Sequence, residues 1–413
     1  MSIRKREWTT PKGEKKSAWV VDYVDMQGKR RLKTFARKKE ADAFEATAKV
    51  EVREGIHVAD SASATVREAG ELWIKRGEQN GLERGTIVQY RQHLDLHIIP
   101  YLGTTLLSRL NVPTVRAFED WMIDEGRSAS MTRKVIVSLG SLLSDAQERG
   151  LVIRNAVREK SHTRVKGKEK RLERRQKGKL KLGVDIPARD EIKAIVAALE
   201  GKWRPVILTA IFTGLRASEL RGLRWADIDL EKREIHVHQR ADRFNVIGRP
   251  KSEAGERTVP IPPLVVNTLK EWRLACPRPK MKDADGNVLQ EEIKPEQLAF
   301  PNGLGKVETL SAIMQRGFQP TQVRAGVCID AGKKDADGNP IMSAKYSGFH
   351  SLRHFYASWC INRREDGGLG LPPKVVQERL GHSSIILTMD TYGHLFPRND
   401  DEELAAAELA LLQ

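Results

Sequence analysis

Features that define several protein classes are scarce or missing in this chain of 413 residues. No run of 18 apolar residues occurs, so no segment is long enough to cross a membrane as a helix. The first ten residues, MSIRKREWTT, lack the apolar stretch of a secretory signal peptide. The only three cysteines, Cys276, Cys328 and Cys360, form no CxxC pair. We therefore expect neither a disulfide framework nor a zinc ribbon, and predict a cytoplasmic protein.

Motifs for nucleotides and metals are also missing. The chain has no GxxxxGK[ST] loop for a triphosphate. His93 and His97 are four residues apart on a predicted helix, but no third ligand lies near them. The sequence KDADGN occurs at 282–287 and 334–339, yet its glycine comes too early for a calcium loop, so turns are the better interpretation. We expect neither a metal nor a cofactor.

Positive charge is present in excess and is unevenly distributed. The chain has 71 Lys and Arg against 55 Asp and Glu, a formal charge of +16. Residues 1–55 carry a net +6 and residues 156–183 a net +9, whereas 56–155 are neutral and 184–413 carry +1. Clustered positive charge favours a polyanionic partner, because it displaces counterions from phosphates.

The most basic stretch, at 157–183, has almost no apolar residues and is predicted to be an interdomain linker. Its composition fits a solvated spacer and a phosphate-binding segment equally well. If the linker binds DNA, we expect Arg171, Arg174 and Arg175 to make contacts.

Residues 1–56 are predicted to form a small α+β domain. The segment SAWVVDYVD alternates apolar and polar residues, a turn follows, and RRLKTFA resumes the strand pattern before a helix. Lys29, Arg30 and Arg31 lie at this turn and at the start of the next strand. They either decorate a hairpin or face a DNA groove.

The remainder of the chain divides into two predicted blocks. Residues 63–156 have helical periodicity throughout, with a break at Pro100 and Gly103. Residues 184–413 mix helices and strands, and they end in the amphipathic segment DDEELAAAELALLQ. Within this block, REIHVHQR and RTVPI are predicted strands joined by a hairpin loop.

Four segments of the last block place an Arg, Lys, His or Tyr beside apolar residues of predicted elements. In the first, Glu219 follows Arg216 by three residues and can orient its guanidinium, which suits phosphate recognition. In the third, His350 and Arg353 share one helical face. His354 points about 100° away from Arg353 on that helix, so packing or capping is expected. The segments are TGLRASEL (213–220), GRPKSEAGERTVPI (248–261), FHSLRHFYASWC (349–360) and LGHSSIILTMDTYGHL (380–395).

In this order and spacing, the four segments resemble the tyrosine recombinase (phage integrase) family of phages and integrative mobile elements. The matching motifs are GLRASEL, HSLRH and LGH, followed by a tyrosine. The hairpin lysine of the family matches Lys251, which lies between the two strands after the first motif. The Asn155-Ala156 pair departs from the Asn-Pro of many relatives, away from the chemistry. The resemblance implies a catalytic set of Tyr392, Arg216, Lys251, His350, Arg353 and His382.

The resemblance also implies a multidomain fold. Residues 1–56 would be a small α+β arm-type DNA-binding domain, and 63–156 an all-α, SAM-like core-binding domain. Residues 184–413 would form a catalytic domain of mixed α+β, mainly α, structure that ends in an exchange helix.

The implied reaction cleaves and rejoins DNA by transesterification. Tyr392 would attack a backbone phosphorus and form a 3′-phosphotyrosyl bond. A tyrosine with a pKa of about 10 is a poor nucleophile at neutral pH, so it needs a proton acceptor and stabilisation of the phosphorane. Arg216 and Arg353 would donate to the non-bridging oxygens, with His382 as a further donor.

Proton transfers would fall to two other residues. His350 would accept the proton of the tyrosine, and Lys251, on a flexible hairpin, would protonate the leaving 5′-oxygen. Glu219 would orient or support its neighbours rather than take part in catalysis.

The implied partners are double-stranded DNA, with core-type and arm-type sites, and three further copies in a homo-tetramer. A host DNA-bending protein and an excisionase are further candidates. Two alternatives remain open: a type IB topoisomerase, which shares this chemistry but relaxes DNA without a specific site, and a non-catalytic DNA-binding protein with the same fold.

Overall fold

The structure, a computed structural model, describes residues 1–11, 13–24, 28–53, 63–159, 179–277, 281–282, 288–289, 293–396, 408–409 and 411. The linker residues Arg171, Arg174 and Arg175 lie outside this part of the chain, as does most of the predicted exchange helix. The chain divides into two compact units, Met1–Arg164 and Val165–Gln413. Within the described ranges, no helix has the length and hydrophobicity that crossing a bilayer requires.

The N-terminal part of the first unit is an antiparallel three-stranded sheet with one helix. The sheet order is β1-β2-β3, and Trp19 on the central strand pairs with Lys5 and Phe35 on its two neighbours. Alternate residues of the central strand, Val21 and Tyr23, are buried against the helix. The elements are β1 (Ser2–Thr9), β2 (Lys15–Val24), β3 (Arg30–Phe35) and α1 (Lys38–Arg53).

The rest of the first unit is helical and has its own apolar core, which includes Trp73 and Phe118. A capping box between Thr65 and Glu68 begins the first of these helices. The predicted break occurs at Gly103 but not at Pro100, because helical structure continues through the proline to Leu102. A π-helical turn (Leu94–Ile98) ends two residues before the proline, where it widens the helix and accommodates the missing N–H group. The helices are α2 (Val66–Gln79), α3 (Arg84–His93), α4 (Ile99–Leu102), α5 (Val112–Asp124), α6 (Ala129–Glu148) and α7 (Ala156–Glu159).

The second unit is mainly helical and is built around α9 (Trp203–Thr213), whose side chains are buried on nearly all sides. This helix packs against α11 (Pro263–Ala275) and α14 (His350–Ile361), so it forms the centre of the apolar core of the unit. The helices are α8 (Arg189–Ala198), α9 (Trp203–Thr213), α10 (Ala217–Gly222), α11 (Pro263–Ala275), α12 (Leu310–Ala312), α13 (Gln319–Arg324), α14 (His350–Ile361), α15 (Pro373–Leu380) and α16 (Ile385–Tyr392).

Short strands flank this helical core. The predicted pairing after the first motif is confirmed, since Ile235 pairs with Val259 in a sheet of order β4-β5-β8. A hairpin of β11 and β12 was not predicted from the weak periodicity of its region. The strands are β4 (Ile228–Asp229), β5 (Glu234–Val237), β6 (Arg240–Ala241), β7 (Ile247–Gly248), β8 (Arg257–Pro260), β9 (Met281–Lys282), β10 (Val288–Leu289), β11 (Cys328–Lys334) and β12 (Pro340–Ala344).

Candidate active site

The turn between α9 and α10 places the first arginine of the site. Helix α9 ends at Gly214, which adopts a left-handed conformation with φ of 60°. A Cβ atom there would lie 2.4 Å from the ring of Tyr356, so both backbone and space require glycine. The chain is then extended at Arg216, whose backbone N–H donates to Oε2 of Glu219 at 2.9 Å. This capping bond starts α10 and sets the direction of the Arg216 side chain.

The carboxylate of Glu219 is only 2% exposed and is shared by two arginines. Oε1 accepts from Nη1 of Arg216 at 2.7 Å, and both oxygens accept from the guanidinium of Arg257, at 3.2 and 2.9 Å. Burial alone would raise the pKa of this carboxyl, but Arg257 and Arg216 hold it below its usual range. The predicted orienting role of Glu219 agrees with this geometry.

Arg257 is a residue that sequence reasoning missed. Besides Glu219, it donates to the carbonyl of Arg379 at 2.7 Å and to that of Gly255 at 2.9 Å. It thus ties β8 to α10, to the end of α15 and to the loop that carries Lys251. In the sequence, Arg257 is only a basic residue at the start of a predicted strand. Nothing in that pattern distinguishes a buried arginine from a solvated one.

Arg353 lies on α14 and is 2% exposed. Its Nη1 donates to the carbonyl of Gly214 at 2.7 Å, and its Nη2 donates to the carbonyl of Leu380. Burial and the positive charges of Arg216 and Arg257 lower the pKa of Arg353 to about 9. The guanidinium is therefore held rigidly between the end of α9 and the end of α15.

His382 follows the left-handed Gly381 that ends α15. The carbonyl of Gly381 accepts from Nη2 of Arg216 at 3.1 Å. Nδ1 of His382 lies 2.9 Å from Oγ1 of Thr388, which fixes the plane of the ring. Burial and the nearby Arg353 lower the pKa of His382 to about 4, so the imidazole is neutral at physiological pH.

Tyr392, the last residue of α16, is 1% exposed and faces this cluster. Its ring is parallel to that of His382, with centroids 6.3 Å apart. Its hydroxyl oxygen lies 2.7 Å from Nδ1 of His354. Burial raises the pKa of Tyr392 to about 12, against the opposing effect of Arg353 and Arg216.

His354, for which the sequence predicts packing or capping, contacts the hydroxyl of Tyr392 through its ring nitrogen. The structure brings His354, rather than His350, to this oxygen. The two imidazoles are in edge-to-face contact, with centroids 4.6 Å apart, and His350 is exposed at the start of α14. The i,i+4 spacing of the two histidines was the signal that could have placed them together.

Lys251 is exposed on the loop between β7 and β8, outside the buried cluster. The loop continues through a 3₁₀ turn at Glu253–Gly255, whose last carbonyl accepts from Arg257. The lysine is therefore presented on a segment whose far end is anchored to the site.

The other predicted residues that the structure describes lie in the first unit. Arg30 donates from Nε to both carboxylate oxygens of Asp22, at 2.9 and 3.1 Å, on the surface of the N-terminal sheet. Lys29, directly before β3, is exposed, and Arg31, the second residue of β3, is half-buried. His93 is buried and lies 2.7 Å from the hydroxyl of Ser138. Across the described ranges, no group of three or more His, Cys, Asp or Glu side chains could hold a metal.

A buried tyrosine hydroxyl in contact with an imidazole, beside two fixed guanidinium groups, defines a class of enzymes that attack phosphodiesters with tyrosine. Residues 188–398 match the model of the phage integrase family. The chain belongs to this family and is a tyrosine recombinase.

Individual relatives agree with this assignment. A tyrosine recombinase XerC-like protein of Caldanaerobacter subterraneus subsp. tengcongensis is 27% identical over 390 residues, which cover 91% of this chain and 90% of that protein. The fold is similar to that of the Tn1549 transposon integrase in complex with transposon right end DNA, with a TM-score of 0.58, 17% identity, and coverage of 85% of this chain and 100% of the other. A lambda integrase tetramer bound to a Holliday junction gives a TM-score of 0.51 at 16% identity, covering 92% and 95%.

Proposed function

We propose that this chain is a site-specific DNA recombinase that integrates or excises a mobile element through a 3′-phosphotyrosyl bond to Tyr392. The observation that carries the proposal is the position of this tyrosine, whose hydroxyl is buried beside Arg353 and Arg216 and touches an imidazole. A relative named as a tyrosine recombinase and a fold shared with transposon and phage integrases support it.

The two arginines stabilise the negative charge of the transition state. Arg353 is oriented by the backbone carbonyls of Gly214 and Leu380, and Arg216 by Glu219 and Gly381. Donors that are fixed before the reaction lose little free energy to reorganisation when charge develops on the phosphorane. A guanidinium carries five N–H groups, so one that is anchored to carbonyls can still bind phosphate.

Two further residues complete the chemistry. His382, neutral and fixed by Thr388, donates to a non-bridging oxygen. Lys251 approaches from its exposed loop and gives a proton to the leaving 5′-oxygen, so that the P–O5′ bond breaks as the bond to Tyr392 forms. His350 lies at the exposed start of α14, with its ring against that of His354.

DNA binding is assigned to the two predicted N-terminal domains and to the basic linker. Residues 1–56 act as an arm-type DNA-binding domain, with contacts from Lys29, Arg30 and Arg31, and 63–156 act as the core-binding domain. The linker binds phosphates, and its contacts are Arg171, Arg174 and Arg175. In the N-terminal domain, the bidentate pair with Asp22 holds the Arg30 side chain in place but occupies some of its N–H donors. Only the remaining donors of Arg30 can bind phosphate.

The functional assembly is a homo-tetramer on two duplexes, in line with the lambda integrase tetramer on a Holliday junction. The C-terminal segment acts as an exchange helix that docks on a neighbouring protomer. A host DNA-bending protein and an excisionase take part at the arm-type sites, and the reaction occurs in the cytoplasm.

A suicide duplex, nicked so that the cleaved 5′ end diffuses away, tests the nucleophile. Tyr392→Phe should abolish the covalent protein–DNA complex and leave duplex binding intact, because only the attacking oxygen is removed. Tyr356→Phe, which removes a different phenol from the same core, is the matched control and should still form the complex. Persistence of the complex in Tyr392→Phe would refute the assignment.

A further inference from the structure

We infer that His354 is the catalytic base that takes the proton from Tyr392, a role outside the catalytic set described above. The inference rests on the proposed function and deepens it. Nδ1 of His354 lies 2.7 Å from the phenol oxygen, and the two ring centroids are 5.7 Å apart. A general base must reach the proton it removes either directly or through one water, and the structure shows the direct contact already formed.

The position of His354 is fixed by the helix on which it lies. Its neighbours in sequence, Arg353 and Phe355, are buried at 2% and 8% exposure and lock this turn of α14 into the core. The ring of His350, one turn earlier, packs edge-on against His354 from the solvent side. The base is therefore held between the nucleophile and the exposed end of the helix, with little freedom to turn away.

A base must also be unprotonated when the reaction starts. Burial and the charge of Arg353 lower the pKa of His354, whereas Asp185, before α8, acts in the opposite direction. The other groups that face it, Tyr392 and His350, are neutral near pH 7. The acceptor role requires the tautomer with its proton on Nε2, which leaves the Nδ1 lone pair directed at the phenol.

Cleavage couples two proton transfers to the exchange of one bond at phosphorus. The phenol proton moves to Nδ1, the oxygen of Tyr392 forms a bond to phosphorus, and the P–O5′ bond breaks while Lys251 protonates the 5′-oxygen. Rejoining reverses each transfer, so the imidazolium of His354 returns its proton to the departing phenol oxygen. A buried imidazolium beside Arg353 is disfavoured until the phosphate brings negative charge. Deprotonation of the tyrosine therefore depends on bound DNA.

The test is single-turnover cleavage of the suicide duplex by the full chain. His354→Asn keeps a side chain of similar shape that cannot take up a proton, and should lower the cleavage rate about 10²- to 10⁴-fold with unchanged duplex affinity. His350→Asn, on the same face of the same helix, is the matched comparison. If His350→Asn loses the rate and His354→Asn does not, the base is His350 and the inference is overturned.

A substrate with sulfur in place of the bridging 5′-oxygen separates base from acid. A thiolate leaves without a proton, so this duplex should restore cleavage to Lys251→Ala. It should not restore cleavage to His354→Asn, whose defect lies at the attacking oxygen. Recovery of His354→Asn on this substrate would make the histidine an acid and overturn the inference. If His354→Asn cleaves at or above the wild-type rate, His354 only restrains the tyrosine in the wild-type enzyme. That result also overturns the inference.

A second variant, His354→Ala, distinguishes loss of the base from misfolding. In His354→Ala the missing ring leaves space for added imidazole, and the cleavage rate of a folded, DNA-binding preparation should rise with the concentration of neutral imidazole. An unchanged rate would count against the inference. The wild-type enzyme and Tyr392→Phe are run alongside: absence of any wild-type adduct refutes the proposed function itself, whereas loss of the adduct only in His354 variants does not.

Discussion

Arg257→Met tests how much Arg257 stabilises the buried cluster that it forms with Glu219 and Arg216. The substitution keeps an unbranched apolar side chain but removes the hydrogen bonds to Glu219, Gly255 and the carbonyl of Arg379. Glu219 then keeps only Arg216 as a charged partner. Breaking a buried ion pair by removing one member costs about 3–5 kcal/mol, because the remaining charge stays desolvated. The Arg257 and Glu219 side chains are 6% and 2% exposed, so water compensates the lost partner little. Arg216 still pairs with Glu219, so we expect a cost at the lower end of this range, about 3 kcal/mol.

Hydrogen exchange of the full chain measures this cost locally, since a chain with two compact units need not unfold in one step. A loss of about 3 kcal/mol corresponds to roughly 10²-fold faster exchange at amides of α10 and the end of α15. Helices α2 to α6, in the other unit, provide the internal control and should exchange as in the wild type.

The double variant Arg257→Met/Glu219→Gln decides whether the incompletely compensated charge of Glu219 is the cause. A neutral amide can still accept from Arg216 and carries no uncompensated charge. The double variant should therefore be more stable than the sum of the single effects predicts, by about 1–3 kcal/mol. Strict additivity, or exchange of Arg257→Met within threefold of the wild type, would refute this account of the cluster.

Other substitutions address the turn, the buried imidazole and the linker. Gly214→Ala should cost at least about 2 kcal/mol in urea unfolding, because φ of 60° and a contact at 2.4 Å both oppose a Cβ atom; a loss below about 1 kcal/mol would contradict this. The pKa of His382 is about 4 when folded and about 6.5 when unfolded, so stability should fall by on the order of 3 kcal/mol as pH drops from 6.5 to 4, and His382→Asn should flatten this slope. Neutralising Arg171, Arg174 and Arg175 should reduce the slope of log affinity against log salt by about 0.9 for each lost phosphate contact, whereas an unchanged slope would make the linker a spacer.

Local sequence patterns were sufficient to predict several of the helices and strands that carry the site residues. The GLRASEL motif predicts a helix start at Arg216 with Glu219 as its partner, and the structure has that capping bond. The RTVPI strand pairs with β5 as its alternation suggests. These features depend on residues a few positions apart, where helical and strand periodicities decide which side chains meet.

Long-range contacts were beyond such reasoning. Arg257 meets Glu219 across 38 residues, and Arg353 meets the carbonyl of Gly214 across 139. Helical spacing relates His354 only to its neighbour Arg353, from which it points about 100° away. Its partner, Tyr392, comes from a helix 38 residues later, and only the folded chain brings the two together.

Tyr392 as the attacking residue is the central claim, and mass spectrometry of the trapped protein–DNA complex tests it most directly. After digestion with trypsin and nuclease, the nucleotide should remain on the peptide 380–398, in which Tyr392 is the only tyrosine. Tyr346 and Tyr356 fall in separate tryptic peptides, so their modification would be distinguished by mass. The account predicts a phosphotyrosyl adduct at Tyr392 alone; an adduct on either of the other peptides would contradict it.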